Sequence, residues 1–185
     1  MNPNLAPQFR KYLEMSDEER IYFIQKDKWI DYPLANKVLL KMQDIFNAPK
    51  SIRSRGMLLY GDSNNGKTAI LKKFYRNFSK DEYIDEDGDL IHLMPIVYVI
   101  SESSSDESVM FSKILSAMNV PFIHKEKVTK KKEEVIYNLG IMKTKLIIID
   151  EIQNVLQGPY NKMTQLITSL KTLNNTTAIP IILAG

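Results

Sequence analysis

The sequence contains no cysteine. Disulfides, thiolate nucleophiles and cysteine-based metal sites are therefore excluded from its chemistry. No apolar run approaches the roughly 18 residues that a membrane-spanning helix needs, so a soluble protein without a membrane partner is expected. Met1 to Pro7 carry neither the basic segment nor the apolar stretch of a secretory signal. Together with the missing cysteines this points to the cytoplasm. Charge of one sign is scarce too: 25 Lys and Arg against 22 Asp and Glu leave a net charge of +3. Bulk charge of that size does not imply nucleic acid, so a DNA contact has to rest on where the charges lie. There is no internal repeat and no low-complexity linker, and His92 has no metal-ligating partner at useful spacing. The 185 residues, 44% of them hydrophobic, suit one well-buried soluble domain rather than two.

Against these absences one stretch stands out. Gly61-Asp62-Ser63-Asn64-Asn65-Gly66-Lys67-Thr68 fits the pattern G-x-x-x-x-G-K-[ST]. It lies between the apolar Met57-Leu58-Leu59-Tyr60 and the helical Ala69-Ile70-Leu71-Lys72-Lys73-Phe74, so it joins a strand to a helix as that pattern requires. In such a loop the backbone N–H groups surround a phosphate at a helix N-terminus, the lysine reaches the outer phosphates, and the hydroxyl ligates Mg²⁺. Glycine serves where a Cβ would block the approach.

The remaining chain arranges itself around this loop. The first dozen or so residues carry two prolines and no helical period, and read as a loose arm. Ser16-Asp17-Glu18-Glu19 is a capping box for a short helix with Ile21, Tyr22 and Ile24. Pro33 opens a second helix whose Leu34, Val38, Met42 and Ile45 share a stripe. The basic linker Lys50 to Gly56 delivers the chain to the first strand. After the loop, Ile70, Leu71, Phe74 and Phe78 face inward and Lys72, Lys73 and Arg76 outward.

Ser79 to Leu93 reads as a polar segment with a solvated Asp-Gly turn. Its Asp85-Glu86-Asp87-Gly88-Asp89 fails as a calcium loop, because the glycine is misplaced and Ile96 stands where the bidentate glutamate belongs. Pro95 to Ile100 predicts a second strand, buried on both faces in a parallel sheet. Ser101 to Ser108 is a polar turn with an N-cap that opens a helix carrying Val109, Phe111, Ile114, Leu115 and Met118. Lys125 to Lys132 is a charge run, read as a solvated helix face or a nucleic-acid contact, feeding a helix with Val135, Ile136, Leu139 and Met142. Leu146 to Ile149 predicts a third buried strand, Met163 to Leu173 a last helix, and Ile179 to Ala184 a fourth strand.

That third strand ends in Asp150-Glu151, which supply what the phosphate loop lacks. Parallel strands put all their C-terminal ends on one edge, so these acids and the loop after Tyr60 can converge there. Asp150 can hold Mg²⁺ through water while Thr68 ligates it directly, and Glu151 can polarise the attacking water.

Gly61 to Thr68, with Trp29-Ile30-Asp31-Tyr32-Pro33 before it and Asp150-Glu151-Ile152-Gln153-Asn154 after it, resembles the TniB/TnsC group of AAA+ transposition ATPases. The likeness runs from the capped helix at Ser16 to the final Ile-Pro strand and includes Val120-Pro121; TniB proteins often carry His where Gln153 stands. The resemblance implies an α/β P-loop NTPase of the AAA+ kind: a three-layer sandwich with a mostly parallel sheet and no lid domain in this chain. It implies an arm, short helix and adenine-side segment over residues 1–33 and the ATPase core over 34–185. ATP or ADP with Mg²⁺ would be held by Gly61, Asp62, Ser63, Asn64, Asn65, Gly66, Lys67, Thr68 and Ala69. Thr68 and Asp150 would take the metal, and Lys67 and Glu151 would serve catalysis. The family's adenine contacts map to Ile30, Tyr32 and Pro33, although the same apolar cluster, with Trp29, could simply dock the helix on the sheet.

The family's sheet order of 5-1-4-3-2 would leave Met57 to Tyr60 as an edge. The sensor residue, fifth strand, arginine finger and lid would then lie beyond Gly185, making this chain a weak ATPase by itself. The implied function is an ATP-hydrolysing regulator of DNA transposition, cytoplasmic, forming a ring or filament of identical subunits on duplex DNA. It would link a target-selection protein to a DDE transposase. A non-catalytic, nucleotide-gated adaptor or a helicase-loader-like protein is the alternative.

Overall fold

A computed structural model describes residues 12–26, 29–51, 55–78, 81–84 and 88–185. The expected N-terminal arm, Asp27-Lys28, part of the basic linker and the acids at 85–87 lie outside the described residues. The chain divides into two compact units, Met1–Asp31 and Tyr32–Gly185.

In the first unit, helix α1 spans Asp17–Gln25 and begins at the expected capping box. The Glu19 N–H donates to Ser16 Oγ at 3.3 Å and the Ser16 N–H to Glu19 Oε2 at 2.9 Å, so two orphan donors of the helix start are satisfied reciprocally. No residue of α1 is buried.

The second unit holds the sheet. Its elements in order are α2 (Pro33–Asn47), β1 (Met57–Leu59), α3 (Lys67–Arg76), β2 (Asp81–Ile84), β3 (Leu90–Leu93), β4 (Ile96–Ile100), α4 (Glu107–Ala117), α5 (Val128–Ile141), β5 (Leu146–Asp150), α6 (Tyr160–Thr177) and β6 (Ile181–Ala184). Four strands form one sheet in the order β1-β6-β5-β4, and every pairing within it is parallel. Aliphatic β5 lies between two neighbours and all five of its residues are buried, as a strand covered on both faces must be. β4 differs from expectation at its end: Ile96, Val97 and Val99 are buried, but Ile100 is 52% exposed. Among the described residues it has one strand partner, so its last side chain meets no second strand there.

Helices cover the sheet with the stripes their sequences carry. Ile114 and Leu115 of α4, Val135 and Leu139 of α5, and Leu166, Leu170 and Leu173 of α6 close over Ile147 and Ile149 in one continuous core. Met42 and Ile45 of α2 and Ile70, Leu71 and Phe74 of α3 are likewise buried, with Phe46, Phe74 and Phe78 meeting ring to ring. α4 starts where the polar turn ends, Asp106 accepting from the Ser108 N–H at 2.8 Å. The polar segment Ser79 to Leu93, for which no strand is expected, proves to contain an antiparallel hairpin of β2 and β3. Gly88 has φ +88, a conformation glycine adopts without strain, while the acids of the expected turn at 85–87 lie outside the described residues. His92 lies on the exposed side of β3, paired across the hairpin with Glu82 at 2.9 Å.

Candidate functional site

The loop between β1 and α3 takes its shape from two residues in the left-handed region, Asn64 at φ 65 and Gly66 at φ 77. Gly66 caps α3, and a Cβ there would sit 3.4 Å from the Tyr32 hydroxyl on a backbone that side-chain-bearing residues rarely adopt. At Gly61 a Cβ would meet no neighbouring protein atom nearer than 3.8 Å, so its small size leaves room on the loop rather than relieving a clash. Lys67 reaches back over the loop, its ammonium donating to the carbonyls of Gly61 at 2.7 Å and Asp62 at 3.0 Å. The N–H groups of Asn64 and Gly66 find no acceptor among the described residues. Unspent donors, a lysine ammonium and the positive end of a helix converge there, which is the electrostatics of an anion cradle.

The acids arrive from β5. Asp150 is 1% exposed, and its carboxylate is held by three donors. Thr68 Oγ1 at 2.8 Å and the Tyr98 hydroxyl at 2.6 Å both donate to Oδ2, while the Glu151 N–H donates to Oδ1 at 2.9 Å. The Thr68 contact joins residues 82 positions apart. Burial, then the hydrogen bond to Asp150, then the charges of Asp150 and Glu151 push the Tyr98 phenol well above its usual range, so its proton stays in place to donate.

Glu151 stands at φ 59, left-handed backbone uncommon for a residue with a side chain and found where surroundings over-determine it. Here they do. Its N–H is bound to Asp150, its carbonyl accepts from Ser101 Oγ at 2.7 Å, and its carboxylate accepts from the Gln153 side-chain amide. Asn154 adds a bond from its amide to the Ser101 carbonyl at 3.1 Å. The tips of β4 and β5 are thus tied together just where the two acids emerge.

The structure therefore brings Gly61 to Ala69 and Asp150-Glu151 together through the Thr68–Asp150 contact. Tyr32 has its hydroxyl beside Gly66, and Pro33 opens α2. Ile30 belongs to the N-terminal unit and is 78% exposed, and in that unit Trp29 donates its indole N–H to Asp31 at 2.5 Å. Sequence reasoning missed Tyr98 and Ser101. Tyr98 carried a faint signal, as the one polar-tipped residue in the apolar Ile96–Ile100, two positions before the residue that pairs with Asp150.

A hydroxyl and a carboxylate meeting at 2.8 Å offer hard oxygen donors of the kind Mg²⁺ takes. No cluster of three or more His, Cys, Asp or Glu able to cage a metal occurs among the described residues. The donor set thus fits a cation that keeps waters and phosphate oxygens for most of its ligands.

A parallel β1-β6-β5-β4 sheet with the phosphate loop and paired acids at one edge is the fold of an AAA+ P-loop ATPase. Among solved structures the chain is similar to the Aeropyrum pernix ORC2 protein, determined as ADPNP-ADP complexes, with a TM-score of 0.60 and 15% identity. The match covers 86% of this chain and 43% of that one, so the chain spans less than half the length of this relative. Similarity to C. elegans PCH-2 is weaker, with a TM-score of 0.47 and 17% identity over 84% of this chain and 38% of that one. No curated protein matches the sequence. The sequence itself matches the family described as bacterial TniB protein over residues 20–185, and the chain belongs to that family. Among the described residues no helix is long and apolar enough to cross a membrane.

Proposed function

We propose that this chain binds ATP with Mg²⁺ at the Gly61–Ala69 loop and hydrolyses it, using Asp150 and Glu151. The observation that carries this reading is the 2.8 Å contact between Thr68 and Asp150. It makes the phosphate loop and the acidic strand end one constellation. The Lys67 ammonium exchanges its bonds to the loop carbonyls for phosphate oxygens, at little cost because both sets are acceptors. Thr68 and Asp150 hold the metal from the loop side and the sheet side, with Tyr98 orienting the Asp150 carboxylate. A bound Mg²⁺ neutralises charge on the phosphates. Glu151, fixed by Ser101 and Gln153, accepts a proton from water aligned for attack. Tyr32 lies close enough to the loop to flank a nucleotide, and Pro33 follows it as the second adenine-side candidate of this unit.

Membership of the TniB family supports a wider role: regulation of DNA transposition by an oligomer of this protein on duplex DNA, acting between a target-selection protein and a DDE transposase in the cytoplasm. Lys72, Lys73 and Arg76 on α3 are candidate phosphate contacts for that DNA. On α5 the candidates narrow, since Lys131 is buried and Lys130 is paired with Glu126 at 2.5 Å.

Equilibrium binding of a fluorescent ATP analogue and phosphate release together test the reading. Lys67→Ala abolishes binding, whereas Glu151→Gln keeps binding and lowers turnover by about 10²-fold or more, as loss of a general base does. Unchanged turnover in Glu151→Gln would remove Glu151 from the chemistry. ATP-dependent rings or filaments on duplex DNA, seen by electron microscopy, support the wider role, and their absence with binding intact favours a nucleotide-gated adaptor.

A further inference from the structure

Lys131 is 1% exposed, in the middle of a run that reads as solvated charge. Its side chain leaves the surface of α5 and runs to α4, where the ammonium donates to Ser108 Oγ at 2.9 Å, Ser112 Oγ at 2.8 Å and the His124 carbonyl at 2.8 Å. All three N–H bonds are spent, yet every partner is neutral. Among the described residues no carboxylate oxygen comes within 4.0 Å of it. Glu126 pairs with Lys130 and Glu102 with Lys113, while Glu134, three residues along α5, has a buried Oε2 without a hydrogen-bond partner and makes no ion pair with Lys131. An ammonium taken out of water without an opposite charge is desolvated, and neutral hydrogen-bond acceptors only partly replace its hydration.

The two serines complete the argument. Each hydroxyl oxygen accepts from Lys131, so its proton must point elsewhere, and neither hydroxyl donates to any acceptor among the described residues. Thr164, Thr168 and Leu173 carbonyls each accept from a threonine hydroxyl one turn further along α6, whereas the α4 serines make no such bond. Both serines line an open cavity of about 360 Å³, with Ser116 further along α4, Val109 and Phe122 as an apolar wall, His124 beside them, and Lys113 ion-paired with Glu102 on its lining. The cavity therefore presents two O–H donors polarised by a buried cation behind them, next to a surface suited to carbon. Donors polarised in this way bind an anion more strongly than isolated hydroxyls do.

We propose that this cavity is a binding site for a carboxylate group, borne by a small acid or by an acidic side chain. The match is in the donors: two hydroxyls backed by the Lys131 ammonium, beside a Lys113 that is already paired with Glu102, suit a group with two acceptor oxygens. Phe122 and Val109 receive the carbon that carries it. The site involves no residue of the nucleotide constellation, so it stands or falls independently of ATP binding.

The test is a titration of the ¹⁵N,¹³C-labelled chain at constant ionic strength, following the amides of Ser108 and Ser112 and the Lys131 ε-methylene by NMR. The probes are acetate, inorganic phosphate and acetyl-Leu-Asp-Leu-amide. Acetate is expected to shift these signals saturably, at least tenfold more weakly in the Ser108→Ala/Ser112→Ala double variant and in Lys131→Met. Tighter binding of the peptide than of acetate assigns the carboxylate to a protein segment, and binding of acetate alone assigns it to a small acid. Absence of saturable shifts with acetate overturns the site, as does unchanged affinity in the double variant, whose spectral dispersion reports that it remains folded. Phosphate binding tenfold tighter than acetate overturns the carboxylate assignment.

Discussion

Tyr98→Phe isolates one atom of the candidate site. The ring keeps its place beside Tyr75, whose centroid lies 5.6 Å away, and only the hydroxyl that donates to Asp150 at 2.6 Å is lost. The acceptor is a carboxylate that is 1% exposed, so the lost bond is to a buried charged group, worth about 1.5–3 kcal/mol. Asp150 keeps two donors, Thr68 and the Glu151 N–H, and Tyr98 is only partly buried, which places the expected loss at the lower end, roughly 1.5 kcal/mol. For a chain of this length that lowers the melting temperature by roughly 3–6 °C. Urea unfolding checks it, the midpoint falling while the slope stays constant. The nucleotide readout separates positioning from bulk stability: the Mg²⁺ concentration needed for tight ATP-analogue binding shifts in Tyr98→Phe, while metal-free binding does not. A stability change below about 0.5 kcal/mol, the range of neutral surface substitutions, together with unaltered Mg²⁺ dependence, would refute the claim that Tyr98 holds Asp150.

Other predictions follow from the backbone. Ala178 caps α6 at φ 53, so Ala178→Gly relieves left-handed strain and raises stability by about 0.5–1 kcal/mol, measured by the same urea midpoint. Glu151→Gly removes the catalytic candidate at φ 59, and is expected to abolish phosphate release while leaving the melting temperature unchanged or higher. At Gly158 a Cβ would fall 2.0 Å from Ser105 Oγ, so Gly158→Ala forces the buried Ser105 aside and costs roughly 1–3 kcal/mol. Ile148→Ala, in the fully buried β5, opens a cavity under the site and costs about 2–5 kcal/mol, read by denaturant unfolding.

The strands were legible because their signals were strong and local: the aliphatic runs at 146–149 and 179–184 read as buried strands, and the phosphate loop marks the strand before it. Their order came from the family resemblance, whose 5-1-4-3-2 contains the observed β1-β6-β5-β4. The hairpin of β2 and β3 was hidden because Leu90-Ile91-His92-Leu93 is short and its partner strand, Asp81-Glu82-Tyr83-Ile84, is half charged. Its stability comes from cross-strand pairing, which no single-strand pattern reports. Lys131 was hidden for a different reason. Charge patterning treats a lysine between lysines as solvated, but a four-carbon stem lets the ammonium leave its own helix face and bond to α4. Tyr98 and Ser101 act on groups 52 and 50 positions away. Such pairings exist only once β4 and β5 lie in register, and beyond the polar tip of Tyr98 in an apolar strand the sequence contains no local trace of them.

The placement of β6 bears on how the molecule comes together. Among the described residues β1 pairs only with β6, Met57 lying opposite Ile182 and Leu59 opposite Ala184. The strand that carries the phosphate loop therefore waits, during synthesis and refolding, for a partner more than a hundred positions downstream. Until β6 slides in between β1 and β5, the loop has a helix behind it but no sheet in front of it. Contacts of such sequence separation form late, since long loops must close before the pairing rewards them. Nucleotide affinity thus becomes a clock for folding: it should rise with completion of the sheet, after the helices have already gained their circular-dichroism signal.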